Sequence, residues 1–177
     1  METARSENSL AQQKPETHTA QSNTLVLGIG NTLLTDEGIG IHIINDLESN
    51  PSDALHGATL MDGGTLSFTL AGPIENCEQF IVIDAAELKD NPGTVKVFEN
   101  EAMDHYITTG NKRSVHEVSL ADVMSITMLS GRLPEKRALV GIQPDNLDWG
   151  ETPTNAVSAA IPAAREQIES ILKRWSE

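Results

Sequence analysis

A single cysteine, Cys77, stands in the 177 residues, so a disulfide within the chain is impossible. That is expected of a protein kept in a reducing cytoplasm. Aromatic residues are nearly as scarce, with three Phe, two Trp and one Tyr, so the core must be built mainly from Leu, Ile, Val and Ala. At 38% hydrophobic content such a core can still reach ordinary size. Basic residues are outnumbered, 12 against 26 acidic, giving a formal charge of −14 with no basic stripe. This balance repels nucleic acid and anionic lipid, and neither is expected as a partner. No apolar run approaches the roughly 18–20 residues that span a bilayer, so membrane insertion is not expected. Internal repeats are absent as well.

What is present falls into two parts. Residues 1–22 are polar, lack the apolar stretch of a secretory signal, and read as a disordered leader. Residues 23–177 read as one domain. Thr24–Ile29, Ala58–Met61, Phe80–Asp84, Thr94–Phe98 and Ala138–Ile142 are short apolar runs closed by glycine, proline or carboxylates, and are predicted as strands. Helices are predicted between them. One is capped by Asp36 and buries Ile39, Ile43, Ile44 and Leu47. A short one begins at Leu66 with Thr65 as cap, and another follows the capping box Ser119-Leu120-Ala121-Asp122. A last one carries the stripe Val157, Ile161, Ala164, Ile168, Ile171 and Trp175, with Pro162 marking its regular start or a kink. Strands alternating with helices predict an α/β three-layer sandwich, a twisted and mostly parallel sheet with helices on both faces.

In such sheets, sites form beyond the carboxyl ends of the strands. Glu37 follows the first strand, Asp84 ends the central one, and His116 precedes the capped helix. Two carboxylates and an imidazole form a mixed oxygen and nitrogen donor set suited to a divalent transition metal such as nickel or zinc. Each residue also has an ordinary explanation. Glu37 can complement a helix dipole, Asp84 can cap a turn, and His116 can be a loop histidine. The turn Gly28-Ile29-Gly30-Asn31 invites a dinucleotide, with Asp62 as the ribose-binding acid. However, Leu33 stands where the fingerprint needs glycine, and Asp36 and Glu37 stand where a pyrophosphate needs bare N–H groups. Cys77 lies between Glu75 and Glu78, whose charges oppose a thiolate, and no G-x-S-x-G elbow occurs.

Taken in order, Leu27-Gly28-Ile29-Gly30-Asn31, Leu34-Thr35-Asp36-Glu37-Gly38-Ile39-Gly40, Asp62-Gly63-Gly64-Thr65, Ile83-Asp84-Ala85, Ser114-Val115-His116-Glu117 and Leu139–Pro144 resemble the hydrogenase maturation endopeptidases. The resemblance runs from about Thr24 to the final helix. It implies an endopeptidase that removes a C-terminal extension from the large-subunit precursor of a [NiFe] hydrogenase after nickel insertion. It further implies that Glu37, Asp84 and His116 are the metal-binding and catalytic residues, that Asp62, Gly63, Gly64 and Thr65 bear on substrate binding, and that the Ni2+ arrives with the substrate. Two matters stay open on sequence alone. Nickel can be a catalyst or a recognition signal, and the same surface can serve a non-catalytic chaperone of the immature subunit.

Overall fold

The structure, a computed structural model, describes residues 23–109 and 118–177. The expected leader and His116 lie outside the described residues. Five strands form one sheet, β1 Thr24–Gly28, β2 Ala58–Asp62, β3 Gln79–Ala85, β4 Val95–Glu99 and β5 Lys136–Ile142, in the order β2-β1-β3-β5-β4. The first four positions are mutually parallel and β4 runs antiparallel against β5. The exception has a chain-length cause. Only the turn-rich stretch 86–94 joins β3 to β4, too short for the helical crossover that a parallel strand requires.

Helices α1 (Ile39–Ser49), α2 (Ala71–Glu75), α3 (Glu101–Thr109), α4 (Leu120–Leu129), α5 (Asn155–Ser158) and α6 (Ile161–Trp175) cover both faces. Strand alternation sorts the core in two. Ile81, Ile83 and Ala85 of β3 join α1 and α6 on one face, while Phe80 and Val82 join α2, α3 and α4 on the other. Every residue of β1 is buried, which explains its unbroken apolar run. On α6, Ala164, Ile168, Ile171, Leu172 and Trp175 are buried. Each fully buried Ile or Leu side chain contributes roughly 1.5–3 kcal/mol, so this stripe anchors the helix. Pro162 sits in its first turn, where a missing N–H leaves no hydrogen bond unmade.

Three local expectations need correction or extension. Asp36 does not cap α1; it lies in a 3-10 turn, Thr35–Gly38, with its side chain turned to another loop. Ser67, not Thr65, caps the next helical segment, accepting from Thr69 N–H, and a 3-10 turn Phe68–Leu70 runs directly into α2. Helix α3 was not among the predicted elements: Met103 is its one fully buried residue, with Tyr106 and Ile107 packed partly buried one turn on. It is held to β5 by the ion pair between Asp104 and Arg137. The Ser119 box is present in full, with the Ser119 hydroxyl accepting from Asp122 N–H and the Asp122 carboxylate accepting from Ser119 N–H at 2.9 Å.

Candidate active site

The order β2-β1-β3 makes the carboxyl ends of β1 and β3 a topological switch point, since β1 connects through α1 to one side while β3 lies on the other. A crevice opens at such a point, and ligands bind there. The glycines noted in the sequence bring α1 unusually close to this rim. A Cβ on Gly40 would lie 2.3 Å from the Ile83 carbonyl oxygen and 2.4 Å from that of Ile29, so only glycine lets the helix start against both strand ends. Gly30, at φ +141°, allows the Glu37 carbonyl to pack where its own Cβ would stand, 1.9 Å away. The close approach that a G-x-G turn permits is thus taken by the protein's own chain rather than by a pyrophosphate.

Glu37 consequently sits in the turn between β1 and α1, its N–H bonded to the Leu34 carbonyl at 2.8 Å, and the turn packs on β3. Both Glu37 and Asp84 are half-buried. Alternation along β3 places Asp84 on the face of Phe80 and Val82, and its register partner on β5 is Gly141, which puts no side chain beside it. Among the described residues no three His, Cys, Asp or Glu side chains gather closely enough to hold a metal ion. The structure therefore brings Glu37 and Asp84 to one rim, and the third expected donor, His116, lies outside the described residues.

Helices α3 and α4 flank residues 110–117 in the chain. Strand β4 ends at Glu99, opposite Ala138, away from the crevice. Helix α3 then returns toward the crevice, since the Tyr106 hydroxyl donates to the Glu87 carbonyl just past β3. Helix α4 starts at the Ser119 cap and runs away again, reaching the far end where Ser130 bonds Glu75 at 2.7 Å. Both α3 and α4 cover the face to which Asp84 belongs.

The Asp62–Thr65 loop borders the other side. Gly30 N–H bonds the Gly64 carbonyl and Gly63 N–H the Gly28 carbonyl, both at 2.9 Å. Asp62 is exposed and accepts from Gly64 N–H at 2.8 Å, so one of its roles is to hold this turn.

Two residues shape the rim in ways that the sequence reading did not assign. Buried Asp36 accepts from the N–H groups of Asp145, Asn146 and Thr154 and from the Thr154 hydroxyl, stapling the 145–154 loop to the turn that carries Glu37. Burial pushes its pKa up, but those four bonds outweigh burial and hold it below the ordinary value. Gln143, also buried, accepts from Leu88 N–H at 2.7 Å and so fixes the loop that follows Asp84. Its signal was available, a polar residue directly after an apolar strand, the same mark that singled out Asp84. Cys77 is buried, donates to the Ile74 carbonyl at 3.2 Å, and has a pKa pushed up to about 11, first by burial. The expected inertness stands, with burial as its leading cause.

Comparison with known proteins agrees with this geometry. Residues 41–171 match the hydrogenase maturation protease family. The hydrogenase 2 maturation protease of Escherichia coli K12 is 40% identical over 152 residues, covering 84% of this chain and 90% of that protein. The hydrogenase expression/formation protein HupD of Rhizobium leguminosarum is 36% identical, covering 85% and 74%. The solved structure of the hydrogenase maturating endopeptidase HybD from Escherichia coli superposes with a TM-score of 0.76 at 37% identity, covering 86% of this chain and 93% of that one. The chain belongs to the hydrogenase maturation protease family and is a hydrolase, an endopeptidase built on an α/β sandwich.

Proposed function

We propose that the protein removes a C-terminal extension from the large-subunit precursor of a [NiFe] hydrogenase after nickel has been inserted. In this reading Glu37, Asp84 and His116 engage the nickel that the precursor carries. The observation supporting it is the placement of Glu37 and Asp84 together at the β1/β3 switch point, with α3 leading to that rim and α4 leading from it. The donor chemistry fits the ion: two carboxylates offset its charge, and a neutral imidazole adds the nitrogen donor that nickel accepts readily. Held by these residues, nickel would supply Lewis acidity to the peptide reaction or serve as the signal that positions the tail. The half-buried setting of both carboxylates limits competition from bulk water for the ion and the peptide. The Asp62-Gly63-Gly64-Thr65 loop, fixed to β1 through its glycines, lies beside the rim where an extended tail would pass, and we assign it to tail binding.

The test uses purified protein with nickel-loaded and nickel-free precursor, following the mass of the large subunit. Cleavage of the loaded form alone is expected. Equal cleavage of both would remove nickel from recognition. His116→Ala should abolish cleavage and weaken nickel-dependent association; a fully active variant would take His116 out of the site.

A further inference from the structure

The carboxyl rim carries an apolar feature that the peptide chemistry leaves unused. Trp149 is 81% exposed, Leu147 is exposed two residues before it, and Leu33 is exposed on a second loop that pairs with this one. They stand on two loops joined by backbone hydrogen bonds. Gly150 N–H donates to the Leu33 carbonyl at 2.9 Å, and Thr35 N–H donates to the Gly150 carbonyl at 2.7 Å. The Thr35 hydroxyl adds bonds to the carbonyls of Asn146 and Asp148, and Asp36 fixes the backbone of Asp145, Asn146 and Thr154 from below. Left exposed, a Trp keeps in water some 150–250 Å² that burial would hide. Here the loop is pinned at both ends, and its one aromatic residue is held outward.

We propose that Leu33, Leu147 and Trp149 form the docking face for the folded large-subunit precursor, with Trp149 as its anchor. The proposal rests on the processing reading above and adds the surface that selects the substrate. Two observations commit it to that occupant. The face is continuous with the site, because Thr35, which bonds Gly150, lies two residues from Glu37. Its border is acidic, with Asp145, Asp148 and Glu151 all exposed. The matching surface on the precursor is an apolar pocket edged by Lys or Arg side chains, near the origin of the extension. An aromatic side chain that enters such a pocket pre-ordered loses little conformational freedom, which is how a few residues come to dominate an interface. The acidic border adds rate and orientation rather than affinity, so association should slow as salt rises.

The test compares wild type, Trp149→Ala and the control Leu129→Ser for binding and cleavage of nickel-loaded precursor. Leu129 is 88% exposed at the far end of α4, away from the crevice. For Trp149→Ala the Kd and KM should rise about 30-fold, the size of an interface hot spot, with kcat nearly unchanged and melting temperature preserved. Leu129→Ser should match wild type. If wild type binds and cleaves but Trp149→Ala does so equally well, the docking proposal fails and the processing reading stands. If wild type binds without cleaving and Trp149→Ala loses binding, docking stands and the processing reading fails. If wild type does neither, both fail. A variant that changes only self-association, in sedimentation of the protein alone, would reassign the face to a second copy of this chain and overturn the proposal.

Discussion

Replacing Asp36 by Asn tests whether a single buried carboxylate holds the rim together. Its Oδ2 accepts three donors, from Asp145 N–H at 2.9 Å, Asn146 N–H at 2.9 Å and the Thr154 hydroxyl at 3.0 Å, and its Oδ1 accepts Thr154 N–H at 2.6 Å. An amide placed with its oxygen at the Oδ2 position keeps three of these bonds but turns an NH2 group against Thr154 N–H. Loss of one hydrogen bond to a charged acceptor costs about 1.5–3 kcal/mol, and leaving buried donors unpaired adds about 1–3 kcal/mol. Taking overlap into account, the loss is about 3 kcal/mol. In a chain of this size that lowers Tm by roughly 6–12 °C. Thr154→Val removes only the hydroxyl donor and should cost about 1 kcal/mol. Because the folded-state pKa of Asp36 lies below its unfolded value of about 3.9, its stabilisation is complete above that value and fades as pH falls through the folded-state pKa. The gap between wild type and Asp36→Asn should therefore be full at neutral pH and shrink below about pH 4. Calorimetric or circular-dichroism melts from pH 7 to pH 3 measure both quantities. An Asp36→Asn protein melting within about 2 °C of wild type at pH 7 would refute the staple.

Four further outcomes are expected. Gly40→Ala should lose most cleavage activity and melt lower, because its methyl would lie 2.3 Å from the Ile83 carbonyl oxygen and must push α1 off the rim; activity and melting of that variant check it. Ser119→Ala breaks the capping box of α4 and should cost about 1 kcal/mol, read as a shift in denaturation midpoint. Cys77 should resist thiol reagents in the native protein and react on unfolding, as its burial and pKa of about 11 require. His42, on α1, has a buried Nε2 without a hydrogen-bond partner among the described residues, and burial lowers its pKa below the ordinary value. The unfolded chain takes up that proton first as pH falls through about 6.5, so stability should decline from there toward the folded-state pKa, and His42→Leu should flatten that part of a pH-stability curve.

The main architecture was legible because the sheet is mostly parallel and buried. Runs such as Phe80–Ile83 are apolar at every position, as a short strand covered on both faces requires. The Ser119 box was legible because its two partners are three residues apart, a purely local arrangement. Pro162 likewise marked the start of α6 through its own backbone chemistry. Helix α3 was not legible. Its apolar set is only Met103, Tyr106 and Ile107, a single turn's worth within a polar segment, and its ion pair reaches Arg137, 33 residues away, which no local pattern announces. The glycines were legible only in part. A G-x-G turn announces a close approach but not by what, and only the fold shows Glu37 and Gly40 filling the space.

The neighbouring acids Asp36 and Glu37 show where sequence reasoning stops. Side by side before an apolar helix, both carry the same charge, and the local preference of Asp for a helix cap assigns Asp36 a role that the structure does not give it. Their separate roles come from residues more than a hundred positions later. The returning loop 145–154 presents N–H groups that lack partners in a strand or helix, and the carboxylate facing them must be buried and ionised to accept three of them. Asp, one methylene shorter than Glu, reaches those donors from a tight 3-10 turn with little rotamer entropy to lose. Glu37, the next residue in the turn, is half-buried at the rim to which β3 also brings Asp84. Exchanging the two, as Asp36→Glu with Glu37→Asp, preserves charge and composition yet should lose both stability and activity. A pattern of residue types treats that exchange as neutral, whereas the hydrogen-bond geometry around Asp36 does not.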